Sequence, residues 1–118
     1  MSRGPRAHRT LGGAVGIAGE RGLVHVVAPG RDTLFDLTIA MIIPMVFVRA
    51  KFTEKICAAI DDIAADFREE IRRLRLVARD SALACELWLR SRNGTWRFFR
   101  VTMDAIVEIR RNGEPKGE

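Results

Sequence analysis

Several residue types that mark particular protein classes are scarce or missing in this chain of 118 residues. Tyrosine is absent, and the two cysteines, Cys57 and Cys85, are far apart in sequence. There is no CxxC pair and no Cys/His spacing suited to zinc, which excludes a zinc-finger type of site. Two distant cysteines do not build a disulfide scaffold, so we expect a reducing, cytoplasmic compartment. Both cysteines are expected to be small buried hydrophobic residues.

Long apolar runs are missing as well. The most hydrophobic segment runs from Leu37 to Val48 and is interrupted by Pro44. A transmembrane helix needs about 20 apolar residues, so no membrane span is predicted. The glycines at 12, 13, 16 and 19 are not followed by Gly-Lys-Ser/Thr, so they do not form a phosphate-binding loop. The sequence implies no small-molecule cofactor.

The charged residues favour the basic side. Lys and Arg together number 20 against 15 Asp and Glu, a formal net charge of +5. Lysine contributes only Lys51, Lys55 and Lys116, so nearly all of the basic residues are arginines. Arginine suits bidentate contacts with phosphate or carboxylate groups. This charge permits binding to nucleic acid but does not require it.

The strongest periodicity lies between Thr53 and Leu76. Apolar residues recur there three and four positions apart, the pattern of one buried helical stripe. Thr53 is a candidate N-cap, because its hydroxyl can accept a bond from a free amide of the first turn. Glu69 and Arg73 stand four apart in the favoured order for an ion pair. We therefore predict one long amphipathic helix. Its stripe comprises Ile56, Ala59, Ile60, Ile63, Ala64, Phe67, Ile71 and Leu74.

Alternating segments surround this helix and predict a sheet. They span residues 45–52 before the helix, and 85–91, 95–102 and 105–110 after it. The predicted core order is therefore β-α-β-β-β, with the long helix packed on a mainly antiparallel sheet. The fold class predicted from the sequence is α+β.

The amino-terminal third of the chain differs in composition, and we predict three parts. Residues 1–22 are basic and glycine-rich, which is typical of a flexible arm. Residues 23–44 form an extension packed on the core, with a short strand at Leu23–Ala28 and a hydrophobic helix or strand at residues 33–43. Residues 45–118 form the α+β core domain. One hypothesis is that residues 1–44 are an appendage to this core.

Asn93-Gly94 predicts a hairpin, because both residues tolerate a positive φ. A two-residue turn would pair Leu89 with Phe98. A three-residue loop would instead pair Leu87 with Phe99, Trp88 with Phe98 and Arg90 with Trp96. We favour the second register, because it groups apolar side chains on one face. Both faces of the returning strand are apolar, so we expect the long helix to cover one face and residues 33–43 or a partner subunit to cover the other.

The hairpin also supplies the candidate site. Exposed aromatic side chains can stack on bases while arginines contact phosphates. We therefore predict a small non-enzymatic domain that binds RNA or single-stranded DNA through an arginine and aromatic face. The alternative is a protein-interaction module or homodimer subunit that uses the same face. In either case the predicted binding residues are Trp88, Arg90, Arg92, Trp96, Arg97 and Arg100.

Catalytic patterns are weak. The helix carries a carboxylate cluster, Asp62, Asp66, Glu69 and Glu70, but no histidine lies nearby and helical surfaces often carry such clusters. Glu70 lies at the edge of the apolar stripe, where it either faces a pocket or bridges to an arginine such as Arg73. The PD-(D/E)xK nuclease pattern does not occur at Glu86, which is followed by Leu87 and Trp88. No catalytic or metal-binding residue is predicted.

Overall fold

The computed structural model describes residues 5–28, 30, 33–40, 45–79 and 84–116. Over these residues three helices pack on a six-stranded mixed sheet, which confirms the predicted α+β class. The elements are α1 (Pro5–Gly19), β1 (Leu23–Val26), β2 (Leu37–Ala40), β3 (Val46–Phe52), α2 (Ile60–Asp66), α3 (Arg68–Arg79), β4 (Ala84–Arg90), β5 (Trp96–Val101) and β6 (Ile106–Ile109).

The strands lie in sequence order, β1 to β6, across the sheet. Neighbouring strands are antiparallel except β3 and β4, which are parallel. Two parallel strands need a crossover connection, and α2 with α3 provides it on one face of the sheet. Because β3 and β4 run in the same direction, their carboxyl ends, Phe52 and Arg90, lie side by side.

The prediction of one long helix is wrong, because the helical segment is divided at Phe67 and begins only at Ile60. Phe67 has φ −112° and ψ 29°, outside helical values. Before the helix, the carbonyls of Ile56 and Ala58 accept bonds from Arg97 Nη1 at 2.9 and 2.6 Å, which holds this segment against β5. The observed order after β3 is therefore two helices and then three strands.

Thr53 does not cap a helix directly. Its hydroxyl accepts a bond from the Lys55 amide at 3.0 Å, in the loop that precedes α2. The apolar stripe is nevertheless shared by both helices, since Ile63 of α2 and Ile71 and Leu74 of α3 are all buried. These residues pack with Leu87, Leu89, Phe99 and Val101 on one face of the sheet.

The opposite face of the sheet is covered by α1, contrary to two expectations. Residues 5–19 were expected to be part of a flexible arm and form a helix. Residues 37–40, within the segment expected to cover this face, are instead strand β2 of the sheet. The helix forms because Ala14, Ile17 and Ala18 share one face and are buried against the sheet.

Gly13 allows α1 to lie close to β5, because a Cβ at this position would stand 2.9 Å from Trp96 Cζ2.

The described part of the chain contains no helix that is long and apolar enough to cross a membrane. Pro44, at which the hydrophobic segment was expected to break, lies outside the described residues. The division between an extension at residues 23–44 and a core domain at residues 45–118 stays a prediction.

The hairpin adopts the favoured register. Leu87 pairs with Phe99, Trp88 with Phe98 and Arg90 with Trp96. Gly94 has a φ of 81°, the left-handed conformation that the turn requires. Side chains therefore alternate as predicted, with Leu87 facing α2 and α3 and Trp88 facing α1.

A buried carboxylate joins α1 to the sheet. Glu86 is 0% exposed, and its oxygens accept bonds from Arg21 Nη1 and Nη2 at 2.8 and 3.0 Å. Trp88 Nε1 donates to the same carboxylate at 2.8 Å. A buried charge is tolerated only when it is paired and hydrogen-bonded, and these three donors meet that condition.

Candidate functional site

Asp36 is a buried carboxylate immediately before β2 and is 1% exposed. Its Oδ2 accepts a bond from the Ala50 amide at 2.7 Å, and its own amide donates to the Val48 carbonyl at 2.7 Å. These two bonds span position 49 on β3. They fix the carboxylate beside the side chain of Arg49, whose Nη1 lies 3.2 Å from Asp36 Oδ1.

Arg49 is held on its other side as well. Its Nη2 donates to the Thr33 carbonyl, and the Arg73 guanidinium of α3 approaches the same carbonyl at 3.5 Å. The Arg49 side chain is 12% exposed. Its Nε is buried and has no hydrogen-bond partner among the described residues. The guanidinium is thus fixed beside Asp36 by contacts from two directions.

Lys51 follows two residues later on β3, so it lies on the same face of the sheet as Arg49. Its Nζ is 3.8 Å from Glu70 Oε2 on α3, and its side chain is 42% exposed. Glu70 therefore pairs with Lys51 rather than with Arg73. We call Asp36, Arg49, Lys51 and Glu70 the β3 cluster. It joins two acids and two bases from β3, α3 and the residue before β2.

Glu69 does not belong to this cluster. It accepts bonds from Arg72 at 2.6 Å and from Arg73 at 3.0 Å, which includes the predicted pair four residues apart. These hydrogen bonds lower the pKa of the Glu69 carboxyl to about 2. Glu69 is therefore ionised at neutral pH and holds Arg73 in position next to Thr33.

The sequence analysis missed Asp36, Arg49 and Lys51, although a signal was present. The PD-(D/E)xK pattern is an acid on one segment followed by acid-x-lysine on the next strand. Asp36 followed by Arg49-Ala50-Lys51 has this order, with arginine at the position of the second acid. At Glu86 the pattern is excluded by Leu87 and Trp88, and the arginine at position 49 conceals it on β3.

Four of the predicted site residues are engaged within the protein. Trp88 is 0% exposed, and Trp96 is half-buried and stacked on Phe98 with 6.1 Å between the ring centroids. Arg97 pairs with Glu108 at 2.8 Å. Arg100 donates to the Gly113 carbonyl at 2.7 Å. These contacts explain the positions of the four side chains without a partner, and their role in binding stays a prediction.

The other two predicted residues, Arg90 and Arg92, lie at the surface. With Arg9 of α1 and Phe52 of β3 they line a groove of about 250 Å³. Arg92 is exposed and its Nη2 is 3.6 Å from Glu54 Oε1. Because β3 and β4 end at the same edge of the sheet, this groove and Lys51 lie at one end of the molecule.

Three of the four carboxylates of the cluster considered on the helix take part in separate ion pairs. Glu69 pairs with arginines, Glu70 with Lys51, and Asp66 approaches Lys55 at 3.9 Å. Within the described residues, no group of three or more His, Cys, Asp or Glu side chains could hold a metal ion. The carboxylates are therefore not arranged as a metal centre.

A larger groove of about 510 Å³ lies between the two crossover helices and the turn before β6. Its walls are mixed apolar and charged, and it contains no residue of the β3 cluster. It is lined by Ile60, Asp61, Ala64, Arg68, Ile71, Arg72, Arg75, Asp104, Ala105 and Ile106.

Comparison with known proteins gives a likeness in fold. No protein-family model matches the sequence, and no curated protein matches it. Among solved structures, the chain is similar to Hjc, a Holliday junction resolvase from the archaeal hyperthermophile Archaeoglobus fulgidus. The TM-score is 0.57 at 17% sequence identity, and the match covers 86% of each chain. At this identity the likeness shows a shared fold.

This likeness corrects the functional prediction. A non-enzymatic domain that binds RNA or single-stranded DNA, and the alternative of a protein-interaction or homodimer subunit, were inferred from the hairpin alone. The fold is instead shared with an enzyme that acts on a DNA junction. The aromatic residues of the hairpin resemble a base-stacking surface in sequence, but in the structure they pack mainly inside the protein.

Proposed function

We propose that this chain is a DNA-processing protein that acts on branched duplex DNA, with the β3 cluster as the place where the phosphodiester backbone is held. The observation that carries the proposal is the Arg49-x-Lys51 pair beside buried Asp36, on a fold that is shared with a Holliday junction resolvase. A phosphodiester is an anion, and fixed cationic side chains are the groups that bind it.

The charges of the site suit a DNA backbone. Lys51 is half-exposed, and its ammonium group can exchange Glu70 for a phosphate oxygen at little cost, because an exposed pair at 3.8 Å is weak. Arg90 and Arg92 lie at the same end of the sheet beside Arg9, on the face that α1 covers and therefore on the opposite face from Lys51. A duplex arm lying across this end would meet arginine and lysine side chains spaced along its phosphates.

The reaction class that suits this arrangement is cleavage of the phosphodiester bond. Lys51 and Arg49 would supply positive charge beside the phosphoryl group, whose oxygens gain negative charge in the transition state. Glu70, next to Lys51, would accept a proton from the attacking water as the water oxygen bonds to phosphorus. The P–O bond to the departing strand then breaks, and the released oxygen takes a proton from solvent. Because Asp36 is paired with Arg49, the positive charge of the proposed site comes from the protein's own side chains.

The binding part of the proposal is tested with a labelled immobile four-way DNA junction and a linear duplex of equal length. Fluorescence anisotropy at several salt concentrations should show tighter binding to the junction, and the affinity should fall as salt is raised, because counterions are released when phosphates are neutralised. Equal affinity for the two DNAs, or no binding at low salt, would contradict the proposal.

The reaction is tested on the same junction, labelled on each strand in turn and incubated with the protein in Mg²⁺ or in EDTA. The expected result is strand nicking that persists in EDTA, is lost in Glu70→Gln and is retained in Asp61→Asn, a matched change on the exposed side of α2. Absence of product in both buffers would refute the proposed reaction, while the anisotropy measurement decides the binding part separately.

A further inference from the structure

We infer that the Arg49 guanidinium takes the place of a divalent cation beside Asp36, so that one substitution, Arg49→Glu, converts the site into a metal-binding site. This inference concerns the same residues as the proposed function. It rests on protein contacts alone, and its test uses no DNA, so the two can fail separately.

Asp36 has little capacity left for a metal. Its Oδ2 accepts the Ala50 amide at 2.7 Å, and its Oδ1 accepts Arg49 Nη1 at 3.2 Å. The carboxylate is also 1% exposed. A divalent cation would have to displace a guanidinium that the Thr33 carbonyl holds from the other side. The residues present therefore do not fit a metal ion.

The charges around Asp36 also oppose a metal ion. Arg49 and Lys51 lie on one face of β3, and Arg73 reaches the Thr33 carbonyl beside them. A metal ion entering beside Asp36 would meet the Arg49 guanidinium at this carboxylate and Arg73 at the neighbouring Thr33 carbonyl. Glu70, the other acid of the cluster, is paired with Lys51. Repulsion between like charges a few ångströms apart in a partly buried site is large, so the native site disfavours Mg²⁺ or Mn²⁺.

Position 49 lies beside Asp36. The Asp36 amide donates to the Val48 carbonyl, and the Ala50 amide donates to Asp36 Oδ2, so a carboxylate at position 49 would lie next to that of Asp36. Two adjacent carboxylates repel each other unless a cation lies between them. Mg²⁺ and Mn²⁺ are commonly held by one or two carboxylates together with water. Arg49→Glu thus removes the guanidinium and leaves two adjacent carboxylates, which a bound metal cation would stabilise.

Mn²⁺ is the probe, because the electron paramagnetic resonance signal of free Mn²⁺ decreases when the ion binds. The full-length chain is titrated as wild type, Asp36→Asn, Arg49→Glu, Arg49→Gln and the double variant Asp36→Asn with Arg49→Glu. Arg49→Gln removes the cation without adding an acid, and the double variant removes the partner carboxylate. Circular dichroism confirms that each variant is folded.

We expect Arg49→Glu to bind one Mn²⁺ per chain at least about 100-fold more tightly than the wild type, and Arg49→Gln about tenfold more tightly. The double variant should return to the wild-type value. If Arg49→Glu does not fold, the Arg49→Gln comparison decides. The inference is overturned if wild-type protein binds Mn²⁺ at a site that Asp36→Asn removes, or if the folded Arg49 variants bind no more Mn²⁺ than the wild type.

Discussion

The Nη1 atom of Arg49 lies 3.2 Å from Oδ1 of Asp36, a carboxylate that is 1% exposed. The pair joins β3 to the residue before β2, at the point where Arg49-x-Lys51 follows the acid in the order of a nuclease pattern. An arginine at the second acid position neutralises Asp36 within the protein. We expect the ion pair to stabilise the contact between β3 and the residue before β2. It also leaves the β3 cluster without a free carboxylate at Asp36.

Arg49→Ala should lower the free energy of unfolding by about 1–3 kcal/mol, because Asp36 would lose a charged partner while it remains buried. Urea unfolding followed by circular dichroism measures the change. Arg72→Ala is the control, since it removes an ion pair to Glu69 that is exposed on both sides and should leave the midpoint unchanged. Equal effects of the two substitutions would contradict a structural role for the Asp36–Arg49 pair.

Glu86→Ala should be more harmful, lowering the free energy of unfolding by about 3–5 kcal/mol, because Arg21 would be left as an uncompensated charge that is largely buried. Glu86→Gln should cost less, since its amide oxygen can still accept the bond from Trp88 Nε1. Tryptophan fluorescence during urea unfolding measures the free energy of unfolding of both variants. A Glu86→Ala protein as stable as the wild type would show that this network does not hold α1 to the sheet.

Residues 45–118 alone should fail to fold, contrary to the hypothesis that residues 1–44 are an appendage. The truncation removes α1, β1 and β2, and it exposes the apolar face formed by Val46, Val48, Trp88 and Phe98. Nuclear magnetic resonance of the fragment tests this, and well-dispersed amide signals would restore the appendage hypothesis.

Cys85 should make stability fall with pH in the alkaline range. Burial raises the pKa of its thiol from 9.0 to about 11. Between these values the unfolded chain loses the thiol proton while the folded chain keeps it, so the free energy of unfolding decreases as pH rises from about 9 to about 11. Urea unfolding over this range measures the slope. In Cys85→Ala the free energy of unfolding should fall less steeply with pH. Identical slopes in the two proteins would show that the Cys85 thiol does not cause the alkaline loss of stability.

The sequence was sufficient for the features that depend on local patterns. Alternation located four of the six strands to within about one residue at most ends, and the Asn93-Gly94 turn with its apolar neighbours selected the correct register. These succeed because side-chain direction in a strand follows directly from residue parity. The buried stripe of the crossover helices was also visible from Ile63 to Leu74.

Features that depend on contacts between residues far apart in sequence could not be predicted from local sequence patterns. The loop before α2 is held by Arg97, about forty positions later, whose bonds to the Ile56 and Ala58 carbonyls oppose a helix there. The helix α1 has four glycines, at 12, 13, 16 and 19, and so resembles a flexible arm until its contact with Trp96 is known. The β3 cluster joins segments whose proximity only the fold reveals.

The most direct test of the central claim, that the β3 cluster holds a DNA phosphate, is the affinity of Lys51→Ala for the four-way junction. The control is Lys116→Ala, which also removes one lysine charge. Lys116 forms an ion pair with Glu108 of β6, the edge strand away from β3. We predict that Lys51→Ala weakens binding by about tenfold, a loss of about 1.4 kcal/mol, and lowers the salt dependence by about one phosphate contact. Lys116→Ala should bind as the wild type does. Equal affinities for the two variants would contradict the claim.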